Sequence, residues 1–323
     1  MKGRMTGTKR GLMAGLTALL GAMASSQAVL AADAEECGTV RMSDPGWTDI
    51  TTTNAVAGVV LDALGYRQQV ENISVPITFQ ALRNSQIDVF LGNWMPAQSS
   101  FIEPLLEDQA AEVIRANLEN AKFTLAVPTY VAEAGVRDFA DLDEFADRFG
   151  SEIYGIEPGA PANENIQRMI DAGDFGLGDW SLVESSEQGM LSQVIRKARS
   201  EEWIVFLAWE PHPMNETVDI TYLSGGDEYF GPNFGGTTVR TLARTGFTSE
   251  CPNLGRLFGQ LTFTVGMENE IMQAIVDDGA DPEQAATAYL EANPEVLNDW
   301  LAGVRTLDGQ EGLQAVRTAL EAE

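Results

Sequence analysis

The chain has 323 residues, with 48 acidic against 20 basic side chains, one histidine and two cysteines. A formal net charge of −28 excludes a nucleic-acid partner, because counterion release from phosphates needs clustered Lys and Arg. The lone His212 leaves little room for a histidine triad or a His-rich metal site, while 44% hydrophobic content over this length allows a buried core and about two domains.

The N-terminus carries Lys2, Arg4, Lys9 and Arg10, then an apolar run from Gly11 to about Ala24 and a small-residue site at Val29-Leu30-Ala31. These are the parts of a secretory signal peptide over residues 1–31, and the apolar run is too short to cross a bilayer comfortably. Cleavage after Ala31 leaves 292 residues (323 − 31), with 16 basic groups (20 − 4) against 48 acids. The mature protein is therefore expected to be soluble and exported to the periplasm. In an oxidising compartment Cys37 and Cys251, 214 positions apart, are expected to pair. Closing so long a loop stabilises by about 3–5 kcal/mol.

Short apolar strands alternate with amphipathic helices, which predicts an α/β protein with largely parallel sheets. Strands are expected at 39–42, 70–75 and 88–91, with helices at 52–64 and 79–84 between them and Gly65 as a helix stop. A second set follows from Lys122: strands at 123–127, 153–156, 181–184, 204–208 and 220–223, with helices at 141–148, 163–172 and 187–199. Beyond Gly225-Gly226 the chain reads as loose and then helical, at 253–260, 268–277, 282–292 and 294–302. These helices lack strands of their own and must pack on the first set. The expected domains are a discontinuous lobe one, 32–119 plus 227–323, and a lobe two, 120–226.

Three of the six tryptophans stand in Pro- and Gly-rich turns at the carboxyl ends of expected strands. They are Trp47 in Asp44-Pro45-Gly46-Trp47-Thr48-Asp49, Trp94 in Gly92-Asn93-Trp94-Met95-Pro96, and Trp209 in Ala208-Trp209-Glu210-Pro211-His212-Pro213. Ligand crevices of open α/β sheets lie outside such strand ends, so the three point to one cleft. A single Trp is more often plain core, and Trp180, Trp203 and Trp300, which lie inside expected elements, are read that way. Indole faces with the acid Asp49 nearby suit a quaternary ammonium. Ring faces replace the hydration shell of its methyl groups, each contributing on the order of 0.5–2 kcal/mol when desolvated, and a carboxylate adds Coulomb attraction. An anion would call for Arg or a helix N-terminus instead.

These turns, together with Gly155-Ile156-Glu157-Pro158-Gly159, the run Phe206 to Asn215, the run Tyr229 to Gly236 and Glu250-Cys251-Pro252-Asn253, resemble the periplasmic choline-binding proteins. Those are substrate-binding subunits of ABC importers within the glycine betaine/choline (OpuAC-like) family, and the resemblance covers essentially the whole mature chain. It implies a two-lobed periplasmic binding protein of type II-like fold, with a ligand cleft between the lobes. It also implies a cage of Trp47, Trp94 and Trp209 with Asp49 as its carboxylate, and the Cys37–Cys251 pairing. Two positions depart from the pattern. Phe123 stands where a Tyr is expected, keeping the ring and losing the hydroxyl. Ala160 stands where an Asn that holds the choline hydroxyl is expected, leaving Asn163 or Asn165 to reach instead.

The expected function is capture of choline by lobe closure and delivery to a membrane permease, by a monomer with no cofactor, no metal and no catalysis. Trimethylamine N-oxide or glycine betaine are the alternative ligands of the same fold. Two other functions are an exported hydrolase of choline esters or glycosides, for which the one His212 beside two prolines is a poor start, and a receptor serving a sensor; Glu157 with Glu210 is a glycosidase-like carboxylate pair of the kind that arises by chance among so many acids. Asp277, Asp278 and Asp281 lack calcium-loop spacing, and Gly225-Gly226 and Gly235-Gly236 lack phosphate-loop spacing.

Overall fold

A computed structural model of the chain describes Met1, Gly3 and residues 33–322, so nearly all of the expected leader lies outside the described residues. Strand β1 (Thr39–Asp44) leads into helix α1 (Thr48–Ala63), β2 (Arg67–Asn72), α2 (Val75–Arg83), β3 (Val89–Met95) and α3 (Ser99–Glu107). The remaining strands are β4 (Ala111–Pro128), β5 (Glu152–Tyr154), β6 (Ser181–Val183), β7 (Val205–Glu210), β8 (Ile220–Tyr222) and β9 (Gly236–Arg244). Helix α1 begins four residues before its expected start, because its first turns bury Thr48, Asp49, Thr52, Thr53 and Asn54 around a single apolar Ile50, and a sustained apolar face starts only at Val56. Gly65, at φ +84°, ends it as expected.

The strands form one sheet in the order β2-β1-β3-β9-β4-β7-β5-β6, with β8 paired to β4. This corrects the expectation of mainly parallel sheets. Pairing is parallel only on the flanks, β2-β1-β3 and β7-β5-β6. Every pairing made by β4 or β9 in the middle is antiparallel. The long β4 pairs with β9 along Ala111 to Lys122 and with β7 along Lys122 to Ala126, so one strand serves both halves of the molecule. The sequence pattern hides both central strands. In β9 the buried alternate positions include Thr237 and Thr241, which dilute the period-2 apolar signal. In β4 the pattern is broken by buried Asn117 and by register shifts up to Ala121, and only the apolar end near 123–127 stands out.

Cys37 and Cys251 form the expected disulfide, joining the turn before β1 to the start of the helix Pro252–Gln260. The later helices Val265–Val276, Pro282–Ala292 and Gly312–Leu320 pack on α1, and hence beside β1 to β3. Trp180, Trp203 and Trp300 are buried against Phe149, Phe145 and Phe263 respectively, as core residues. Among the described residues no helix is long and apolar enough to cross a membrane.

Candidate functional site

Trp94 and Trp209 are the penultimate residues of β3 and β7, inside the strands rather than just past them, and Trp47 is the N-cap of α1. Gly46, at φ +92°, donates its N–H to Asp44 Oδ1 and turns the chain so that Trp47 follows β1 at its carboxyl end. Phe123 of β4 is the direct cross-strand partner of Trp209, and its ring lies 5.7 Å from that of Trp94. One phenyl ring thus joins an indole from each half of the sheet. Behind it stands Phe230, 6.2 Å away.

Trp47, Trp94, Phe123 and Trp209 line a single cavity together with Asp49. The rest of its wall includes Gln98, Ile156, Pro161 and Ala162. Five of the six residues singled out from the sequence therefore meet. The sixth, Asn163, does not line this cavity. Its amide accepts from Ile156 N–H at 3.0 Å and donates to the carbonyls of Ile156 and Glu157 and to Glu184 Oε1, bracing the turn after β5. Asn165 donates to the Tyr229 carbonyl and is likewise engaged.

The rings are held by polar contacts at their edges. Trp94 Nε1–H donates to Asp49 Oδ2 at 3.0 Å, and Trp47 Nε1–H donates to Glu157 Oε1 at 2.9 Å, across the two halves of the sheet. Trp209 rests edge-on against His212, with ring centroids 5.1 Å apart. His212 Nδ1 accepts the Met214 N–H at 2.9 Å, so its Nε2 carries the proton toward Glu187 Oε1 at 3.2 Å. Glu187, at the start of the helix Glu187–Arg199, also accepts the Thr48 N–H at 3.1 Å and the Thr48 hydroxyl. A carboxylate from one half thereby caps the N-terminus of a helix in the other, where the helix dipole favours negative charge.

Asp49 is only 2% exposed. Burial, reinforced by the charge of Glu187 and opposed by the Trp94 hydrogen bond, pushes its carboxyl up to about 8. Glu268, equally buried on the helix Val265–Val276, is raised well above the ordinary range by burial and by the charge of Asp49. An uncompensated acid inside an apolar socket is an arrangement that a cation relieves. Neither Glu268 nor Gln98 stands out in the sequence. The first is one acid among many, and the second is marked only by its closeness to the Trp94 turn. The Glu157–Glu210 pair is not assembled for catalysis: Glu157 holds Trp47, and Glu210 is bound to Lys122 at 2.6 Å.

Comparison with known proteins agrees with this architecture. The solved structure of an ABC-transporter choline-binding protein in complex with choline is 53% identical, with a TM-score of 0.87 over 89% of this chain and all of that one. An ABC-transporter choline-binding protein in an unliganded semi-closed conformation, also 53% identical, gives 0.82 over 88% and 99%. The uncharacterized protein ORF1 of Chromohalobacter salexigens is 53% identical over 131 residues, 41% of this chain and 84% of that protein. The α/β fold is accordingly the two-lobed one of these binding proteins. The family described as the substrate binding domain of the ABC-type glycine betaine transport system matches residues 38–292, and the chain belongs to that family.

Proposed function

We propose that this protein is the exported substrate-binding subunit of an ABC importer, and that it captures a methylated quaternary ammonium, choline first, in the cavity between its halves. Trp47, Trp94, Phe123 and Trp209 form the walls and Asp49 supplies the carboxylate. The lobes are residues 32–119 with 227–323, and 120–226, hinged where the chain crosses between them, at 119–120 within β4 and at 226–227. Closure brings Trp47, Asp49 and Trp94 onto Phe123 and Trp209, and the closed form is presented to the membrane permease; no bond is made or broken. The leader 1–31 directs export to the periplasm.

The observation that carries this proposal is that four rings and one buried acid, from both halves of the sheet, share one cavity. A diffuse cation without hydrogen-bond donors on its methyl groups satisfies that lining, whereas an anion would face Asp49. The likeness to a choline-bound relative supports choline, and glycine betaine or trimethylamine N-oxide present the same trimethylated head. Calorimetric titration with these three compounds tests the proposal. Saturable one-to-one binding of at least one is expected, with the ligand recovered unaltered. Absence of binding to all three refutes it.

A further inference from the structure

The cavity lining contains just two polar side chains, Asp49 and Gln98. The turn on the opposite side offers only Ile156, Pro161 and Ala162 to the ligand, and both nearby asparagines are engaged elsewhere. Gln98 is 1% exposed, so its amide must find partners within the protein or in the cavity. Its Nε2 donates one hydrogen to the Gly92 carbonyl at 2.9 Å, and its Oε1 accepts from Asn93 Nδ2 at 3.1 Å. The carbonyl partner fixes which end of the amide is nitrogen. A primary amide offers two donors and two acceptor sites, so one N–H and one lone pair remain without a protein partner among the described residues.

We propose that Gln98 is the specificity-determining residue that reads the polar end of the ligand, donating its free N–H to an oxygen while the rings hold the methylated head. This inference rests on the onium reading of the cavity. It assigns the ligand class as a trimethylated ammonium carrying an acceptor oxygen, whether carboxylate, N-oxide or hydroxyl. Gln98 suits this task because its two protein contacts hold the amide rigid before the ligand arrives, which lowers the ordering cost of binding.

The test compares tetramethylammonium, which has the head and no oxygen, with choline, glycine betaine and trimethylamine N-oxide, titrated into the full chain and into Gln98→Leu. For the best oxygen-bearing ligand we expect affinity to fall about 10- to 100-fold, the range for loss of a hydrogen bond to a polar or charged partner. The loss for tetramethylammonium should be at least tenfold smaller. Binding of tetramethylammonium also reports that the variant is folded. Should Gln98→Leu fail to fold, Gln98→Glu reads the same contrast, since a carboxylate there must reject glycine betaine far more than tetramethylammonium. Equal losses for both kinds of ligand would show that Gln98 only supports the turn holding Trp94, and no loss for either would show that it does not contact the ligand; both overturn the inference. Wild-type protein that binds none of the four compounds overturns the onium reading itself, and this assignment with it.

Discussion

Titration of Asp49 offers a quantitative handle on the cavity. In the free protein burial raises this carboxyl from 3.8 to about 8, so at neutral pH it holds its proton. A cation seated against it favours the ionised form, and binding below about pH 8 must expel that proton. Each unit between the working pH and the raised value corresponds to about 1.4 kcal/mol, or tenfold in affinity. Affinity for an onium should therefore climb up to about 100-fold between roughly pH 6 and pH 8, then level off. Near pH 6.5, calorimetry in two buffers of different ionisation enthalpy should detect close to one proton released per ligand. Asp49→Asn should flatten the profile, matching wild type at the acid end and falling below it at the alkaline end. The neighbouring acids Asp44, Glu187 and Glu268 remain in that variant, which isolates the contribution of Asp49. A wild-type affinity that does not change with pH, accompanied by no proton release, would show that Asp49 does not ionise on binding.

Trp94→Ala and Trp209→Ala should each cost about 1–3 kcal/mol of binding, read by calorimetry, and unchanged affinity in both would remove the cage from consideration. Glu187→Ala deletes the buried contact to Thr48 that joins the two halves and the one to His212 that backs Trp209, and should lower both thermal stability and ligand affinity, with about 1–3 kcal/mol lost in denaturant unfolding. Glu268→Gln should stabilise the protein increasingly as pH rises. The buried acid binds its proton more tightly folded than unfolded, so wild-type stability declines with pH above the unfolded value, and parallel pH–stability curves would contradict this.

Much of the site is legible in the sequence because it is built from punctuation. Gly46, Pro45 and Pro96 set Trp47 and Trp94 at strand ends, and turns of that composition are poor places for core anchors. The flanking βα units are legible for the same reason, through alternating apolar runs and helix stops such as Gly65. What escapes is whatever depends on remote partners. Strand β9 uses threonines at buried positions and is stabilised by β3 and β4, well over a hundred residues earlier, so no local pattern announces it. Asn163 has the right residue type near the right turn. Its amide is nevertheless consumed by the backbone of that turn, a distinction of side-chain direction that spacing cannot carry. Gln98 and Glu268 become visible only when burial separates them from the many exposed polar residues of a strongly acidic chain.

In the proposed function the cavity recognises positive charge through ring faces, and not merely a bulky apolar group. The measurement that meets it most directly is a paired titration of choline and its uncharged carbon isostere, 3,3-dimethylbutan-1-ol, into the wild-type protein. Four rings at no less than about 0.5 kcal/mol each give at least about 2 kcal/mol for the charge, so choline should bind at least about 30-fold more tightly. Equal affinities for the two compounds would contradict the account.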